Sequence, residues 1–217
     1  AIQVDGRVIE RRASDRTTSE AQAYALFFAL VANDRGQFER LLSWTQNNLA
    51  HGDLRKRQPA WLWGPDIASR WRVLDANPAA DADFWLAYTL LQAGRLWQVA
   101  DYFDTGLALL QQIQASQQVD LPGFGLTVLP GRQGFALDKS RWRINPSYLM
   151  PQQLRAFAQA DPLGPWQAMS DSLPTLIRKA SPAGFVPDWI VYHPDKGWIA
   201  DSVTGSIGSY DAIRVYL

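Results

Sequence analysis

The feature that most constrains this chain is a helix-forming stretch that is apolar on almost every face. Residues 21–31 are mainly Ala, Leu and Phe, and they follow the capping run Thr17-Thr18-Ser19. A helix without a polar side is expected to be buried all round. Its first turn carries one carboxylate, Glu20. This residue either complements the helix dipole or lies half out of water, with a raised pKa, and acts as a general acid.

The same arrangement recurs at intervals of roughly sixty residues, with an apolar helix, a short turn, an amphipathic helix and a long loop. An acidic first turn also opens the second apolar helix, and Gly94 is expected to end it. The alternation predicts an all-α fold in which outer helices surround an inner ring. The predicted helices span 19–33, 37–49, 81–93, 97–117, 148–160 and 166–180, and a seventh begins at 206 and runs to 217.

Two long segments, 52–78 and 118–145, contain several Pro and Gly residues and are predicted to be irregular loops. The first also contains three Trp, which favours a functional loop over a simple connection. Residues 188–200 alternate in a way that predicts a β-hairpin, and one further short strand is expected at 2–8.

Composition narrows the possible functions. The 217 residues contain 21 basic and 21 acidic side chains, and this zero formal charge argues against nucleic-acid and anionic-membrane partners. No apolar run is long enough to span a bilayer, and we expect no membrane insertion. The chain has two His and no Cys, which are few side chains from which to build a metal site or a Ser-His-Asp triad. We therefore expect no metal or cofactor. Ten Trp are unusually many, and their flat faces suit sugar rings.

Acidic residues lie at three predicted inner-helix starts, namely Glu20, Asp81 with Asp83, and Asp211. Equivalent helix ends in a ring meet on one rim, so these side chains are expected to line a cleft. Cleavage of a glycosidic bond needs one protonated acid and one ionised carboxylate. Asp83 is expected to be structural, bonded to a backbone N–H group or an Arg. Asp188 is expected to be a turn or cap residue.

These residues belong to longer segments through which the chain resembles glycoside hydrolase family 8, and within it the periplasmic endo-β-1,4-glucanases of bacterial cellulose synthesis systems. The family's Asp-Ala-Asp signature matches at residues 81–83, and the chain departs from it at Ala80, Leu86 and Thr89. Other matching segments are Gly6–Ile9, Thr17–Glu20, Ala32–Arg35, Trp44–Ala50, Pro59–Gly64, Ala93–Trp97, Asn145–Leu149, Pro187–Trp189 and Ser209–Tyr216.

The resemblance implies an inverting endo-β-1,4-glucanase on an (α/α)6 toroid, with residues 1–217 forming one catalytic domain that lacks its C-terminal part. In this reading Glu20 is the general acid and Asp211 the general base. Asp81 grips the sugar at the cleavage point, and Tyr148, Tyr210 and Arg214 surround that sugar. Trp61 and Trp63 are candidate stacking platforms.

The resemblance also implies a β-1,4-glucan as substrate, a cellulose synthase complex as a candidate partner, and a periplasmic or secreted location after removal of a signal peptide. Two alternatives remain open. One is a glucan-binding or assembly component with vestigial catalysis, and the other is a family member that cuts xylan or chitosan. Because residues 1–217 supply about the first two thirds of the toroid, we expect this segment alone not to form a stable, active monomer.

Overall fold

The computed structural model describes residues 1–11 and 14–216. The chain divides into two compact units, Ala1–Ile113 and Gln114–Leu217. The described part of the first unit is mainly helical, with an antiparallel sheet in the order β1-β2-β3. Its elements are β1 Thr17–Thr18, α1 Ser19–Val31, α2 Arg35–Leu49, β2 Leu62–Pro65, β3 Trp71–Asp75, α3 Ala80–Trp97 and α4 Ala100–Gln117, whose last turn belongs to the second unit.

Side-chain caps fix the starts of the first two helices. The Thr18 hydroxyl accepts a hydrogen bond from the N–H of Ala21, and the Asp34 carboxylate accepts one from the N–H of Gln37. Helix α1 then packs against both α2 and α3. Buried apolar side chains of these helices form the core of the first unit, among them Leu26, Phe38, Leu41, Leu86 and Leu90.

The second unit combines two helices with two small antiparallel sheets, β4-β5 and β6-β7-β8. Two short 3₁₀ helices, Pro146–Tyr148 and Ala212–Tyr216, pack against each other. Ile144, Ala180 and Ile190 are fully or almost fully buried in this unit. The remaining elements are β4 Gln118–Leu121, β5 Gly125–Val128, β6 Trp142–Ile144, α5 Pro151–Ala160, α6 Trp166–Ala180, β7 Ile190–His193 and β8 Gly197–Ala200.

The six predicted helices and the predicted hairpin, now β7–β8, are present. Two predicted loops were wrong in part, because segment 52–78 contains the β2–β3 hairpin and segment 118–145 contains β4, β5 and β6. Gly94 does not end α3, which continues to Trp97. The glycine instead permits close packing, since an added Cβ would lie 2.8 Å from the Cβ of Phe103 on α4.

Three further expectations were wrong. The predicted strand at 2–8 is a turn closed by a single bridge between Ile2 and Val8. The predicted seventh helix is only the 3₁₀ turn at 212–216, and its last residue, Leu217, lies outside the described residues. Helix α1 is not buried all round, because Phe28 is 66% exposed and Val31 is 67% exposed. The described residues therefore leave one apolar face of α1 uncovered.

Among the described residues, no helix combines the length and apolarity that a membrane crossing requires.

Candidate active site

Glu20 occupies the first turn of α1, at the point where the three-stranded sheet meets the helix. Pairing of β1 with β2 brings Trp61 beside this turn, and the N–H of Ser19 donates to the Trp61 carbonyl at 2.9 Å. The indole Nε1–H of Trp61 then donates to Glu20 Oε1 at 3.0 Å. Glu20 is half-buried, and one of its oxygens is held by an aromatic donor.

Asp81 gives Glu20 a charged neighbour. It lies in the first turn of α3, which packs beside α1, and it is only 4% exposed. Burial, followed by the negative charge of Asp81, raises the pKa of Glu20 to about 8, and the hydrogen bonds from Trp61 and Ser19 oppose that rise. Glu20 is therefore protonated at neutral pH and can donate a proton.

Asp83 has a structural environment. It is fully buried, and the side-chain amide of Gln58 donates to its Oδ2 at 2.7 Å. Burial and this contact favour a structural role for Asp83, but the donor is a side-chain amide, whereas the prediction named a backbone N–H or an Arg. The two acidic residues of the Asp81-Ala82-Asp83 motif thus have different neighbours.

Trp63 is held in an aromatic cluster rather than standing free. Its ring stacks on Trp71, with centroids 5.1 Å apart and planes at 28°. The guanidinium of Arg7 lies 4.6 Å from the Trp63 centroid and 4.4 Å from that of Trp71, and Trp44 meets Trp63 edge-on. Trp61 and Trp71 are the more exposed rings here, at 38% and 49%. Trp71 was not among the predicted platforms.

In the second unit, Asp211 precedes the 3₁₀ turn 212–216. Arg214 Nη2 donates to its Oδ1 at 3.1 Å, and Asn145 Nδ2 donates to its Oδ2 at 3.2 Å. The Asn145 amide is oriented by Ser147, whose N–H and hydroxyl both donate to Asn145 Oδ1. Its NH₂ group must therefore face Asp211. The Asp211 side chain remains 38% exposed, so water can reach it.

Tyr148 joins this group through ring contacts. The Arg214 guanidinium lies 5.0 Å from the Tyr148 centroid, and Trp189 meets Tyr148 edge-on at 6.0 Å. Tyr210 is 93% exposed. The second unit therefore brings Asp211, Arg214 and Tyr148 together, whereas the Tyr210 side chain points to solvent.

Two residues in the second unit were missed as site residues, Asn145 and Asp188. Each falls in a segment that carries the family resemblance, and Asp188 was expected only to be a turn or cap residue. Its carboxylate accepts hydrogen bonds from the N–H groups of Ser209 and Ala212, both at 2.8 Å. The capping expectation is confirmed, and the capped segment is the one that carries Asp211.

Within the described ranges, no three His, Cys, Asp or Glu side chains are grouped closely enough to hold a metal ion.

The family model for glycosyl hydrolases family 8 matches residues 1–217. Among curated proteins, the chain is 51% identical to an endoglucanase of Xanthomonas axonopodis pv. citri (strain 306) and 48% identical to one of Escherichia coli (strain K12), over its whole length. The chain spans 56% and 58% of the lengths of those two relatives, respectively.

A crystal structure of an endo-1,4-D-glucanase from Vibrio fischeri ES114 aligns with 99% of this chain at 42% identity and a TM-score of 0.95, and the chain covers 62% of it. The predicted fold class, part of a mostly helical family 8 toroid, is confirmed by this likeness. The chain belongs to glycoside hydrolase family 8.

Proposed function

We propose that the protein containing this chain is an inverting endo-β-1,4-glucanase. The observation that carries the proposal is the contrast between two carboxyl groups. Glu20 is half-buried beside Asp81 and has a pKa of about 8, whereas Asp211 is partly open to water and paired with Arg214. Such a contrast separates an acid from a base within one mechanism.

In the proposed reaction, Glu20 donates its proton to the glycosidic oxygen as the bond from that oxygen to the anomeric carbon breaks. A water molecule attacks the anomeric carbon from the opposite face, and Asp211 takes a proton from this water. Configuration at the anomeric carbon is inverted. Asp211 then releases the proton it took to solvent, and Glu20 regains a proton from solvent. Inverting glycosidases in general hold their two carboxyl groups about 6.5–9.5 Å apart, which leaves room for the water.

The proposed substrate is a β-1,4-linked glucan. Support comes from the endoglucanase names of the relatives and from the exposed rings of Trp61 and Trp71, which offer apolar faces for sugars. Asp81, Tyr148, Tyr210, Arg214 and Trp63 remain the other proposed sugar-binding residues. A reducing-sugar assay on carboxymethylcellulose, xylan and chitosan tests this proposal, and the first substrate should be cut fastest.

The catalytic roles are tested by substituting each carboxyl group with its amide. Glu20→Gln and Asp211→Asn should each lower kcat/KM by about 10²- to 10⁴-fold, because each removes one proton-transfer group. Binding of cello-oligosaccharides, measured by calorimetry, should change little. Glu39→Gln and Asp138→Asn are matched controls on exposed or partly exposed carboxylates and should leave kcat/KM unchanged. Near-normal activity of either Glu20→Gln or Asp211→Asn would refute that residue's role.

We also propose a periplasmic or secreted location and a link to cellulose biosynthesis, on the family resemblance described above. Cell fractionation, together with co-purification with a cellulose synthase complex, tests both. Cytoplasmic protein that never co-purifies with the synthase would contradict them.

A further inference from the structure

The carboxylate of Asp188 binds the backbone of the segment that carries Asp211. Asp188 Oδ1 accepts the N–H groups of Ser209 and Ala212, both at 2.8 Å. Asp188 Oδ2 accepts the Ser209 hydroxyl at 2.5 Å. The two bonded residues lie on either side of Tyr210 and Asp211. The Asp188 side chain therefore binds the turn that carries Asp211 on both sides of that residue.

This carboxylate is nearly inaccessible, since Asp188 is 8% exposed. Burial alone would raise the pKa of Asp188, but the hydrogen bonds from Ser209 and Ala212, with the charge of Arg214, outweigh burial and lower it. Asp188 is therefore ionised when the site is formed, and it acts only as an acceptor. Charge-assisted hydrogen bonds of this kind are stronger than neutral ones.

The strand pairing of the second unit places Asp188 where it can hold this segment. Ile144 at the end of β6 pairs with Ile190 at the start of β7. Asn145 follows the first strand and Asp188 precedes the second, so both emerge at the same end of the sheet. Asn145 binds the Asp211 side chain there, while Asp188 binds the main chain around it.

Further contacts, to the main chain and to one side chain, hold the same two segments together. The N–H of Asp188 donates to the Ile207 carbonyl at 2.9 Å, and the N–H of Val186 donates to the Tyr216 hydroxyl at 2.7 Å. At Gly208 an added Cβ would lie 2.6 Å from the Val186 carbonyl oxygen, so the chains approach closely. The region before β7 thus supports the Asp211 segment along its length.

We propose that Asp188 is a positioning residue for Asp211, which keeps the base carboxylate oriented toward the attacking water. The inference rests on the proposed function, in which Asp211 is the base. Five residues of 3₁₀ helix follow Asp211, and a turn this short is not rigid by itself. The three bonds to Asp188 supply the missing constraint, and a base displaced by about 1 Å can cost about 100-fold in rate.

Variants at Asp188 and Ser209 in the whole protein test the inference. Asp188→Ala should lower kcat by about 100-fold while KM changes less than about threefold, because the loss falls on the chemical step. Asp188→Asn should recover about tenfold of that loss, because its amide oxygen can still accept the two N–H groups. Ser209→Ala removes only the hydroxyl bond and should lower kcat by a smaller factor. If Asp188→Ala fails to fold, the kcat values of Asp188→Asn and Ser209→Ala test the inference instead.

Asp66 provides a matched structural control. Its side chain is 8% exposed, and, like Asp188, it accepts hydrogen bonds from two main-chain N–H groups, those of Ala68 and Arg70, in the first unit. Asp66→Ala should lower Tm without changing kcat per folded molecule. The inference is overturned if Asp188→Ala keeps kcat within twofold of the parent, or if Asp66→Ala lowers kcat as much.

The Asp211→Asn variant distinguishes a failure of this inference from a failure of the proposed function, in which Asp211 is the base. If Asp211→Asn is inactive and Asp188→Ala is fully active, Asp188 is not a positioning residue and the base assignment stands. If Asp211→Asn remains active, Asp211 is not the base. Asp188 then cannot be a positioning residue for the base either.

Discussion

Glu20 is subject to opposing influences that the structure separates. Burial and the charge of Asp81 favour its protonated form, whereas the donors Trp61 and Ser19 favour the ionised form. The first pair dominates, and the pKa of Glu20 rises from 4.5 to about 8. A general acid must be protonated to work, so we expect kcat/KM to decline as the pH rises through about 8.

Two substitutions should move this decline in opposite directions. Trp61→Phe removes a donor to the ionised form, so the pKa of Glu20 should rise and the basic limb of the kcat/KM profile should move up by about one pH unit. Asp81→Asn removes a repelling charge, so the same limb should move to lower pH. Profiles of kcat/KM against pH on a soluble glucan measure both shifts.

Trp71→Phe is the matched control for Trp61→Phe. Trp71, the first residue of β3, is also exposed, but its ring stacks on Trp63. It should leave the basic limb in place, whatever it does to KM. Shifts of the same sign in Trp61→Phe and Asp81→Asn would show that Glu20 does not set this limb.

At the scale of elements, Arg7 joins the N-terminal turn to the three-stranded sheet. It is 7% exposed, and its guanidinium lies 4.6 Å from the Trp63 centroid and 4.4 Å from the Trp71 centroid. It donates through Nε to the Thr17 hydroxyl at 2.9 Å and through Nη2 to the Asp15 carbonyl. These contacts fix β1 against β2, and β1 leads directly into the turn that holds Glu20. Arg7 therefore stabilises the strand that leads into the helical turn carrying Glu20, the candidate acid.

Arg7→Ala should lower the free energy of unfolding by about 2 to 4 kcal/mol, because it removes two cation–π contacts and buried hydrogen bonds from a charged donor. Urea denaturation measures this loss. Arg72→Ala in the same sheet removes a side chain that is 61% exposed and should cost less than about 0.5 kcal/mol. Equal losses in the two variants would contradict the role of Arg7.

The sequence predicted helices well and short strands poorly. Residues 35–49 and 166–180 show the helical period and stop signals that single-sequence reasoning can use. The β2–β3 hairpin was missed because Pro65 and Gly64 lie within it and normally indicate a loop. These strands are short, and their pairing with Thr17–Thr18 depends on distant residues.

For the candidate site, the carboxylates could be identified from the sequence but their supporting residues could not. Glu20, Asp81 and Asp211 occur at predicted helix starts, and the family resemblance gave each a role. The contact between Asp188 and Ser209 joins residues 21 positions apart, and that between Asn145 and Asp211 joins residues 66 apart. No local pattern indicates contacts that arise only from tertiary packing.

At the scale of the whole molecule, residues 1–217 correspond to 56–58% of the length of the two curated relatives compared above. The described residues leave Phe28 and Val31 on α1 exposed. Exposed apolar side chains favour association. We therefore expect residues 1–217 expressed alone to self-associate or to lack cellulase activity.

Size-exclusion chromatography and a cellulase assay on residues 1–217 check this expectation. Changing Phe28 and Val31 to Lys should reduce self-association of that segment, since it places charge on the same face. A compact, active monomer of the unmodified segment would contradict the expectation.

The central claim is that Glu20 and Asp211 carry out hydrolysis with inversion, and the configuration of the first product tests it most directly. Proton NMR during cleavage of a β-1,4-linked cello-oligosaccharide by the whole protein resolves the anomers before mutarotation mixes them. With inversion the α-anomer should appear first, because water attacks opposite the bond that breaks. Initial release of the β-anomer would contradict it.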